Sequence, residues 1–282
     1  MLGMLVAAPL GSKAAELREP PPARIVSLGG AVTEILYDLG AGDRVVALDT
    51  TSIHPPEALR TKPNVGYLRQ LSAEGILSAR PDLVLAIEGA GPPDILRIVR
   101  EAGVPVTVVP DQPTESGVAA RIETVAGAIG RGEAGRLLAD RTAQHFAALA
   151  VARGKVARKI RALFILSLQG GRTMVGGRNT TADGMLALAG AENAAAGIDG
   201  YKAMTDEAIV AARPDVVVML SVGPGGSPPA GLFDGPALSQ VPAARERRLV
   251  AMDGLYLLGF GPRTPEAARD LMRAFHPGLR EE

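Results

Sequence analysis

LSAEGILSARPDLVL, from Leu71 to Leu85, returns in the same chain as MTDEAIVAARPDVVV, from Met204 to Val218. Each copy predicts a short helix with an acidic first turn, an Arg-Pro-Asp break and a buried strand. A Gly-Tyr pair precedes each copy, in GYLR from Gly66 and in GYKA from Gly200. An internal repeat of this kind predicts two lobes of similar build, each with a Gly-Tyr loop leading into a helix.

Around the repeat, short apolar runs alternate with helical stretches, as in RIVSLG at 24–29 followed by AVTEILYDLG at 31–40. Near-continuous Val, Ile and Leu runs are typical of parallel strands covered by helices on both faces. Between about Thr114 and Arg153 the apolar residues recur three and four apart, which predicts one or two long helices and no strand. The predicted fold is α/β, with two Rossmann-like lobes, mostly parallel central sheets and a long bridging α-helix.

The predicted organisation has four parts along the chain. They are a residual signal peptide and linker at 1–23, an N-terminal α/β lobe at 24–113, a bridging helical segment at 114–155 and a C-terminal α/β lobe at 156–282. Ligands of open α/β sheets bind beyond the carboxyl ends of the strands, so two such lobes predict a ligand in the interlobe cleft. The Gly-Tyr loops are candidate walls of that cleft.

Composition narrows the classes of partner. The 282 residues carry 30 Lys and Arg against 30 Asp and Glu, with no basic run longer than Arg245 to Arg248, so no nucleic-acid partner is expected. The sequence has no cysteine for a disulfide, a thiolate metal site or a lipidated N-terminus, which favours a soluble form. No apolar stretch approaches the ~20 residues that span a bilayer.

The N-terminal run MLGMLVAAPLGSKAAE is apolar and rich in small residues but lacks a basic start. It is interpreted as a secretory signal peptide whose first residues are missing, which implies a periplasmic location. The alternative is a disordered tail. Glu19-Pro20-Pro21-Pro22 would form a linker in either case.

Conventional enzyme motifs are missing from the sequence, and no enzymatic activity is expected. The three histidines, at 54, 145 and 276, lack the spacing of a shared metal site, and His145 and His276 are expected at solvated surface positions. SLGGAVTE matches neither a dinucleotide fingerprint nor a phosphate loop. It predicts a tight turn from a strand into a helix, with Thr33 or Ser27 helping to cap the helix.

Tyr67 stands two residues before Arg69 in the loop NVGYLRQLS. Side chains two apart in an extended loop point the same way, so the guanidinium can lie beside the phenol oxygen. A nearby cation and a ferric ion both favour the phenolate and lower a pKa that is ordinarily about 10. Phenolate is a known axial ligand of heme iron. The alternative is a tyrosine ring packed on the next helix, with Arg69 paired to an exposed carboxylate.

The segment NVGYLRQLSAEGILSARPDLVL resembles the iron-ligand segment of periplasmic hemin-binding proteins of the HmuT type, in the helical-backbone class of ABC-transporter substrate-binding proteins. The resemblance extends over RIVSLGGAVTEILYDLG, MVGGRNTTADGMLALAGAEN and LYLLGFGPRTPEAA. It implies ferric heme in the interlobe cleft, Tyr67 on the iron and Arg69 hydrogen-bonded to that tyrosine. Some relatives add a second-lobe histidine, but SLQGGRTMVGGRN has none. The iron is therefore expected to be five-coordinate or to bind a water.

Heme propionates need cationic partners at the mouth of a cleft. Arg172, Arg178 and Lys202 lie on segments of the second lobe that are expected to be loops facing the cleft. The alternative for each is a surface cation without a ligand role. Tyr201, by its place in the repeat, is expected on the opposite face of the heme.

The resemblance also implies that one exposed acidic residue per lobe docks on arginines of the membrane permease. Glu74 and Glu207 match those positions and correspond to each other in the repeat. First-turn glutamates also favour the helix dipole whatever they bind. The implied partners are heme and the permease and ATPase of an ABC-type importer, served by a monomer.

Other functions remain open at this point. The same fold class binds cobalamin and ferric siderophores, although a chain with no tryptophan and 3% aromatic residues disfavours sites with several aromatic walls. An α/β enzyme that uses the cleft would be a different class of protein. So would a heme sensor or scaffold that hands nothing to a transporter.

Overall fold

The computed structural model describes residues 20–156, 158–169, 172–221 and 231–278. The predicted signal peptide therefore lies outside the described residues, apart from the prolines of its linker. Within the described ranges no helix combines the length and the apolar character needed to cross a membrane.

The first lobe is an all-parallel sheet of four strands in the order β2-β1-β3-β4. Its strands are β1 (Ile25–Leu28), β2 (Val45–Leu48), β3 (Leu83–Ile87) and β4 (Val106–Val109). Its helices are α1 (Gly30–Asp38), α2 (Pro56–Thr61), α3 (Ala73–Ser78) and α4 (Pro93–Glu101). Both β1 and β3 are buried along their whole length, which explains their largely unbroken apolar sequences.

Two helices follow the first lobe, α5 (Glu115–Ala128) and α6 (Gly132–Gly154). The helix α6 has 23 residues and is about 34 Å long at 1.5 Å per residue. The two helices pack against each other, while α5 also contacts α1 of the first lobe and α6 contacts the last helix of the second. The expectation of one or two long bridging helices is thus confirmed as two.

The second lobe is a mixed sheet in the order β10-β9-β5-β6-β8, with β7 paired to β5. Its strands are β5 (Arg161–Gln169), β6 (Arg172–Gly176), β7 (Glu192–Asn193), β8 (Tyr201–Met204), β9 (Val216–Leu220) and β10 (Leu249–Met252). Its helices are α7 (Thr181–Leu188), α8 (Asp206–Ala212), α9 (Pro242–Arg245), α10 (Gly254–Leu258) and α11 (Thr264–Phe275). The two-lobed α/β prediction is confirmed.

The prediction of loops at Arg172 and at Tyr201 to Met204 is wrong. Strand β6 pairs antiparallel with both β5 and β8, so these segments are strands at one edge of the sheet. Both segments are short and follow a glycine, which hides them in the sequence. Their backbone partners come only from sheet pairing, of β6 with β5 and of β8 with β6.

The two copies of the repeat are built alike at the helix start. The Ser72 hydroxyl accepts the Gly75 N–H at 3.1 Å, and the Thr205 hydroxyl accepts the Ala208 N–H at 3.3 Å. Each hydroxyl is thus the N-cap of its helix, α3 or α8.

The Arg-Pro-Asp break ends in the same contact in both lobes. The Asp82 carboxylate accepts the Arg24 N–H at 2.9 Å, just before β1, and the Asp215 carboxylate accepts the Arg161 N–H at 3.0 Å, at the start of β5. Each aspartate fixes the beginning of the neighbouring central strand, so the repeat in the sequence is a repeat of hydrogen bonds.

The hydrophobic core continues from one lobe into the other. One buried cluster joins the first lobe, α5 and α6 to one face of the second sheet, where Phe164 and Val218 lie. The opposite face of that sheet, with Leu163 and Val217, packs in a separate cluster. The lobes therefore share apolar packing at their base, and any opening between them lies beyond it.

Candidate ligand-binding site

The carboxyl ends of the two sheets face each other. Gly30 follows β1, and a Cβ placed on it would lie 2.5 Å from both the Leu255 side chain and the Thr51 carbonyl oxygen. Leu255 belongs to α10, which follows β10 in the second lobe. The loops after the strands of both lobes thus meet here, at the edge where open α/β sheets bind ligands.

Residues 62–70, here called the tyrosine loop, are hydrogen-bonded to the end of β2. The Leu48 carbonyl accepts the Val65 N–H at 2.9 Å, and the Thr50 N–H donates to the Gly66 carbonyl at 3.0 Å. Gly66 has φ 106°, a backbone conformation that favours glycine. The loop is therefore held at the carboxyl edge of the first sheet, on the side of the second lobe.

Tyr67 projects from this loop with 51% of its surface exposed, next to the buried Leu68. About half of the residue is therefore not covered by α3, the packing that the sequence left open as the alternative. The Tyr67 phenol has no hydrogen-bond partner among the residues that the structure describes. Its position is set by its backbone, and its oxygen is available to a ligand.

Arg69 ties the far side of the loop to the connection between β3 and α4. Its guanidinium donates to the Gly89 carbonyl, and the Leu68 carbonyl accepts the Gly91 N–H at 2.6 Å. Gly89 has φ 75°, a backbone conformation that favours glycine. Within the described ranges Arg69 pairs with no carboxylate. Its remaining N–H donors are free to reach a phenolate, and that hydrogen bond stays a prediction.

In the second lobe, Tyr201 is the first residue of β8, and its hydroxyl lies at the start of α7. Its hydroxyl is 2.8 Å from the Thr181 hydroxyl and accepts the Ala182 N–H at 3.4 Å. Its ring meets Phe164 edge to face at 6.4 Å between centroids, and 36% of the residue stays exposed. The Tyr201 ring is thus partly packed and its hydroxyl is hydrogen-bonded, unlike the hydroxyl of Tyr67.

The three candidate propionate partners do not form one cluster. Tyr201 is in register with Gly176 and Lys202 with Val175, so Lys202 projects from the opposite face of the sheet. Arg172 is exposed at the start of β6, and Arg178 is exposed beyond its end. A propionate contact remains a prediction for each of them.

Glu74 and Glu207 are both exposed in the first turns of their helices, α3 and α8. Hydrogen bonds from its own backbone N–H and from the Thr205 hydroxyl lower the pKa of Glu207. Each glutamate is thus accessible to a partner, and the docking role stays a prediction for both.

Of the two histidines expected at the surface, His145 is exposed and lies 3.8 Å from Glu266. The expectation for His276 is wrong. Its Nε2 is buried without a hydrogen-bond partner, and burial lowers its pKa. Among the described residues no group of His, Asp and Glu could hold a metal ion.

Two charged contacts between the lobes were missed in the sequence. Arg121 of α5 is fully buried and reaches the second lobe, where its guanidinium donates to the carbonyls of Gly259 and Phe260. It also pairs with Asp111 at 2.6 Å. The signal was present, because Arg121 interrupts an otherwise apolar helix face between Val118 and Val125.

The second contact joins Glu34 of α1 to Arg263 at the start of α11. The buried Glu34 carboxylate accepts from the Arg263 guanidinium at 2.9 Å and from its backbone N–H at 3.2 Å. Both contacts lie beside the shared core, so the base of the two lobes is held by charge as well as by apolar packing.

Two α/β lobes on a common base, with an exposed tyrosine where their strand ends face each other, define a two-lobed binding protein. Residues 25–255 match the profile of the periplasmic binding protein family. The chain belongs to that family, as the resemblance implied.

Relatives and solved structures agree with this assignment. An uncharacterized ABC transporter substrate-binding lipoprotein of Bacillus subtilis, YvrC, is 30% identical over 93% of this chain and 82% of its own length. The vitamin B12-binding protein of Vibrio cholerae is 40% identical, but over only 31% of this chain and 32% of its own.

Two solved structures are similar over almost their full length. The periplasmic heme-binding protein RhuT from Roseiflexus sp. RS-1, in its apo form, has 42% identity and a TM-score of 0.86 over 91% of this chain and 99% of its own. The periplasmic heme-binding protein BhuT, in complex with two hemes, has 41% identity and a TM-score of 0.85 over the same shares.

Proposed function

We propose that this protein captures ferric heme in the periplasm and delivers it to an ABC-type importer. The observation that carries the proposal is an exposed tyrosine whose phenol has no hydrogen-bond partner among the described residues, in a chain more than 40% identical to two heme-binding proteins over 91% of its length. Tyr67 is the proposed axial ligand of the iron. The protein acts as a carrier and not as an enzyme.

Heme is favoured over cobalamin by the degree of sequence identity and not by coverage. The vitamin B12-binding protein BtuF of Vibrio cholerae covers 93% of this chain at 23% identity, whereas the two heme-binding proteins cover 91% at 42% and 41% identity. Tyr67 supplies the hard anionic oxygen that ferric iron accepts from protein. In this proposal Arg69 stabilises the phenolate, and Arg172, Arg178 and Lys202 are candidate partners of the propionates.

Replacing Tyr67 by phenylalanine removes the phenol oxygen and leaves the ring. In a hemin titration, the wild-type protein is expected to give a high-spin ferric spectrum with a tyrosinate charge-transfer band. Tyr67→Phe is expected to lose the band and to bind hemin about a hundredfold more weakly, equal to about 2.7 kcal/mol. Visible absorption measures both effects.

Tyr201→Phe is the matched control, because Tyr201 is the tyrosine of the other Gly-Tyr pair and its hydroxyl is already hydrogen-bonded to Thr181. That variant should keep the band. An unchanged spectrum and affinity in Tyr67→Phe would show that the ligand assignment is wrong. Cyanocobalamin, titrated in parallel, should not compete with hemin.

A further inference from the structure

Asp49, the residue after β2, is a fully buried carboxylate with four donors around it. Its Oδ1 accepts the Gly29 N–H at 2.7 Å and the Ser52 hydroxyl at 2.9 Å. Its Oδ2 accepts the Thr51 N–H at 2.8 Å and the Thr51 hydroxyl at 2.6 Å. Among the residues that the structure describes, this carboxylate with 0% exposure has no cationic partner and is stabilised by hydrogen bonds, two on each oxygen.

Three buried hydroxyls form a chain that ends on Asp49. The Ser52 hydroxyl donates its single hydrogen to the Asp49 carboxylate. The Thr33 hydroxyl, whose oxygen lies 2.7 Å from the Ser52 oxygen, must therefore donate to Ser52. By the same count the Ser27 hydroxyl donates to Thr33 at 2.7 Å. The prediction that Ser27 or Thr33 caps α1 is wrong, because the helix has no side-chain cap and both hydroxyls point along this chain.

These hydrogen bonds fix the turn at residues 49–52, to which the tyrosine loop is hydrogen-bonded. Asp49 holds both the backbone and the side chain of Thr51, and the Ser52 N–H donates to the Asp49 carbonyl at 3.1 Å. Thr50, enclosed in that turn, donates its N–H to Gly66 at 3.0 Å. Gly66 immediately precedes Tyr67.

We infer that Asp49 is a positioning residue for Tyr67, an inference that rests on the proposed role of Tyr67 as iron ligand. The Tyr67 phenol has no described partner of its own, so its direction depends on the backbone on either side of it. Arg69 and Gly89 fix the far side of the loop, and Asp49, through Thr50, fixes the near side. The ligand is thus oriented before heme arrives.

A carboxylate is needed at position 49 because both of its oxygens accept. Asparagine has nearly the same shape, but its amide nitrogen is a donor. That nitrogen would face either the N–H and the hydroxyl of Thr51, or the N–H of Gly29 and the hydroxyl of Ser52. In either orientation of Asp49→Asn the amide nitrogen faces one backbone N–H, which cannot accept, so at least one of the four hydrogen bonds is lost and the adjacent hydroxyl must turn to accept. The turn that directs the Thr50 N–H toward Gly66 would then lose its fixed geometry, while the backbone bonds of Leu48 to residues 63 and 65 would remain.

The test compares Asp49→Asn with the wild-type protein, well below both unfolding temperatures. Without hemin, amide hydrogen exchange over residues 63–70 is expected to accelerate in the variant. With hemin, the charge-transfer band should weaken or shift, and hemin should dissociate about tenfold faster, as expected when an outer partner of a metal ligand is removed. Thr51→Val removes one donor at constant shape and should give smaller changes of the same sign, even if Asp49→Asn folds poorly.

Asp82→Asn is the control, because Asp82 also accepts two backbone N–H groups, those of Ala23 and Arg24, but at the opposite end of the same sheet. It should lower stability and leave the exchange of the tyrosine loop and the band unchanged. If amide exchange, the charge-transfer band and hemin dissociation in Asp49→Asn all match the wild-type protein, the inference about Asp49 is wrong but the role of Tyr67 is not affected. Equal changes in Asp82→Asn would have the same meaning. Faster exchange in Asp49→Asn with no tyrosinate band in the wild-type protein would instead refute the role of Tyr67.

Discussion

Replacing Arg121 by methionine is expected to lower the free energy of unfolding by about 3 to 5 kcal/mol, the cost typical of removing one member of a buried charged pair. Methionine fills much of the space but donates nothing. The carbonyls of Pro110, Gly259 and Phe260 would then lose a buried donor. Each unsatisfied buried acceptor costs about 1 to 3 kcal/mol before relaxation.

Burial lowers the pKa of Arg121 because the guanidinium is removed from water, and Asp111 at 2.6 Å counters this. The cation is nevertheless favourable in this place because four acceptors surround it. Denaturant titration of the purified protein measures the loss.

Arg136→Met is the matched control for Arg121→Met. Arg136 pairs with Asp140 at 3.4 Å on the exposed face of α6, and both side chains are more than half exposed. An exposed pair one helical turn apart contributes about 0.3 to 0.5 kcal/mol. Equal losses in the two variants would mean that the buried contacts of Arg121 add no more to stability than an exposed ion pair does.

Much of the fold follows from apolar pattern. The strands β1, β3 and β9 are runs of branched residues between turn signals, and each lies where the pattern predicts it. The repeat predicted the two lobes because its polar members, Asp82 and Asp215, have the same backbone partners in both. Local sequence was sufficient wherever the contact that stabilises an element is close along the chain.

The missed features depend on residues far apart in the sequence. Strand β8 forms only because β6 offers it an edge, and Arg121 is a buried cation only because residues 259–260 fold back onto α5. Asp49 in LDTTS is typical of an exposed turn, and its burial becomes visible only with Gly29 beside it. Distant partners of this kind leave no periodic signal in a single sequence.

At the candidate site, the sequence predicted the loop of Tyr67 but not what supports it. The exposure of Tyr67 fits its predicted role, and the anchoring of Arg69 to Gly89 was not foreseen. For Lys202, closeness in the sequence was misleading about the direction of the side chain. Sequence placed it beside Tyr201, whereas strand geometry places its side chain on the other face of the sheet.

Replacing both Glu74 and Glu207 by lysine is expected to abolish transporter-dependent heme uptake and to leave hemin affinity unchanged. The two carboxylates stand at the same position of the repeat, one in each lobe, and both are exposed. Docking through them would place one acidic contact per lobe against cations of the permease. Reversal of both charges turns attraction into repulsion at both contacts, and like charges across an interface cost several kcal/mol.

The control must separate docking from the general effect of charge at a helix start. Glu115 and Glu133 are exposed glutamates in the first turns of α5 and α6, away from the repeat. Glu115→Lys with Glu133→Lys makes the same change in net charge and in helix-dipole energy. Hemin uptake by proteoliposomes that contain the cognate permease and ATPase should stop with the first pair and continue with the second. Equal uptake with both pairs of substitutions would show that Glu74 and Glu207 do not dock on the permease. Their carboxylates would then serve only to stabilise the starts of their helices.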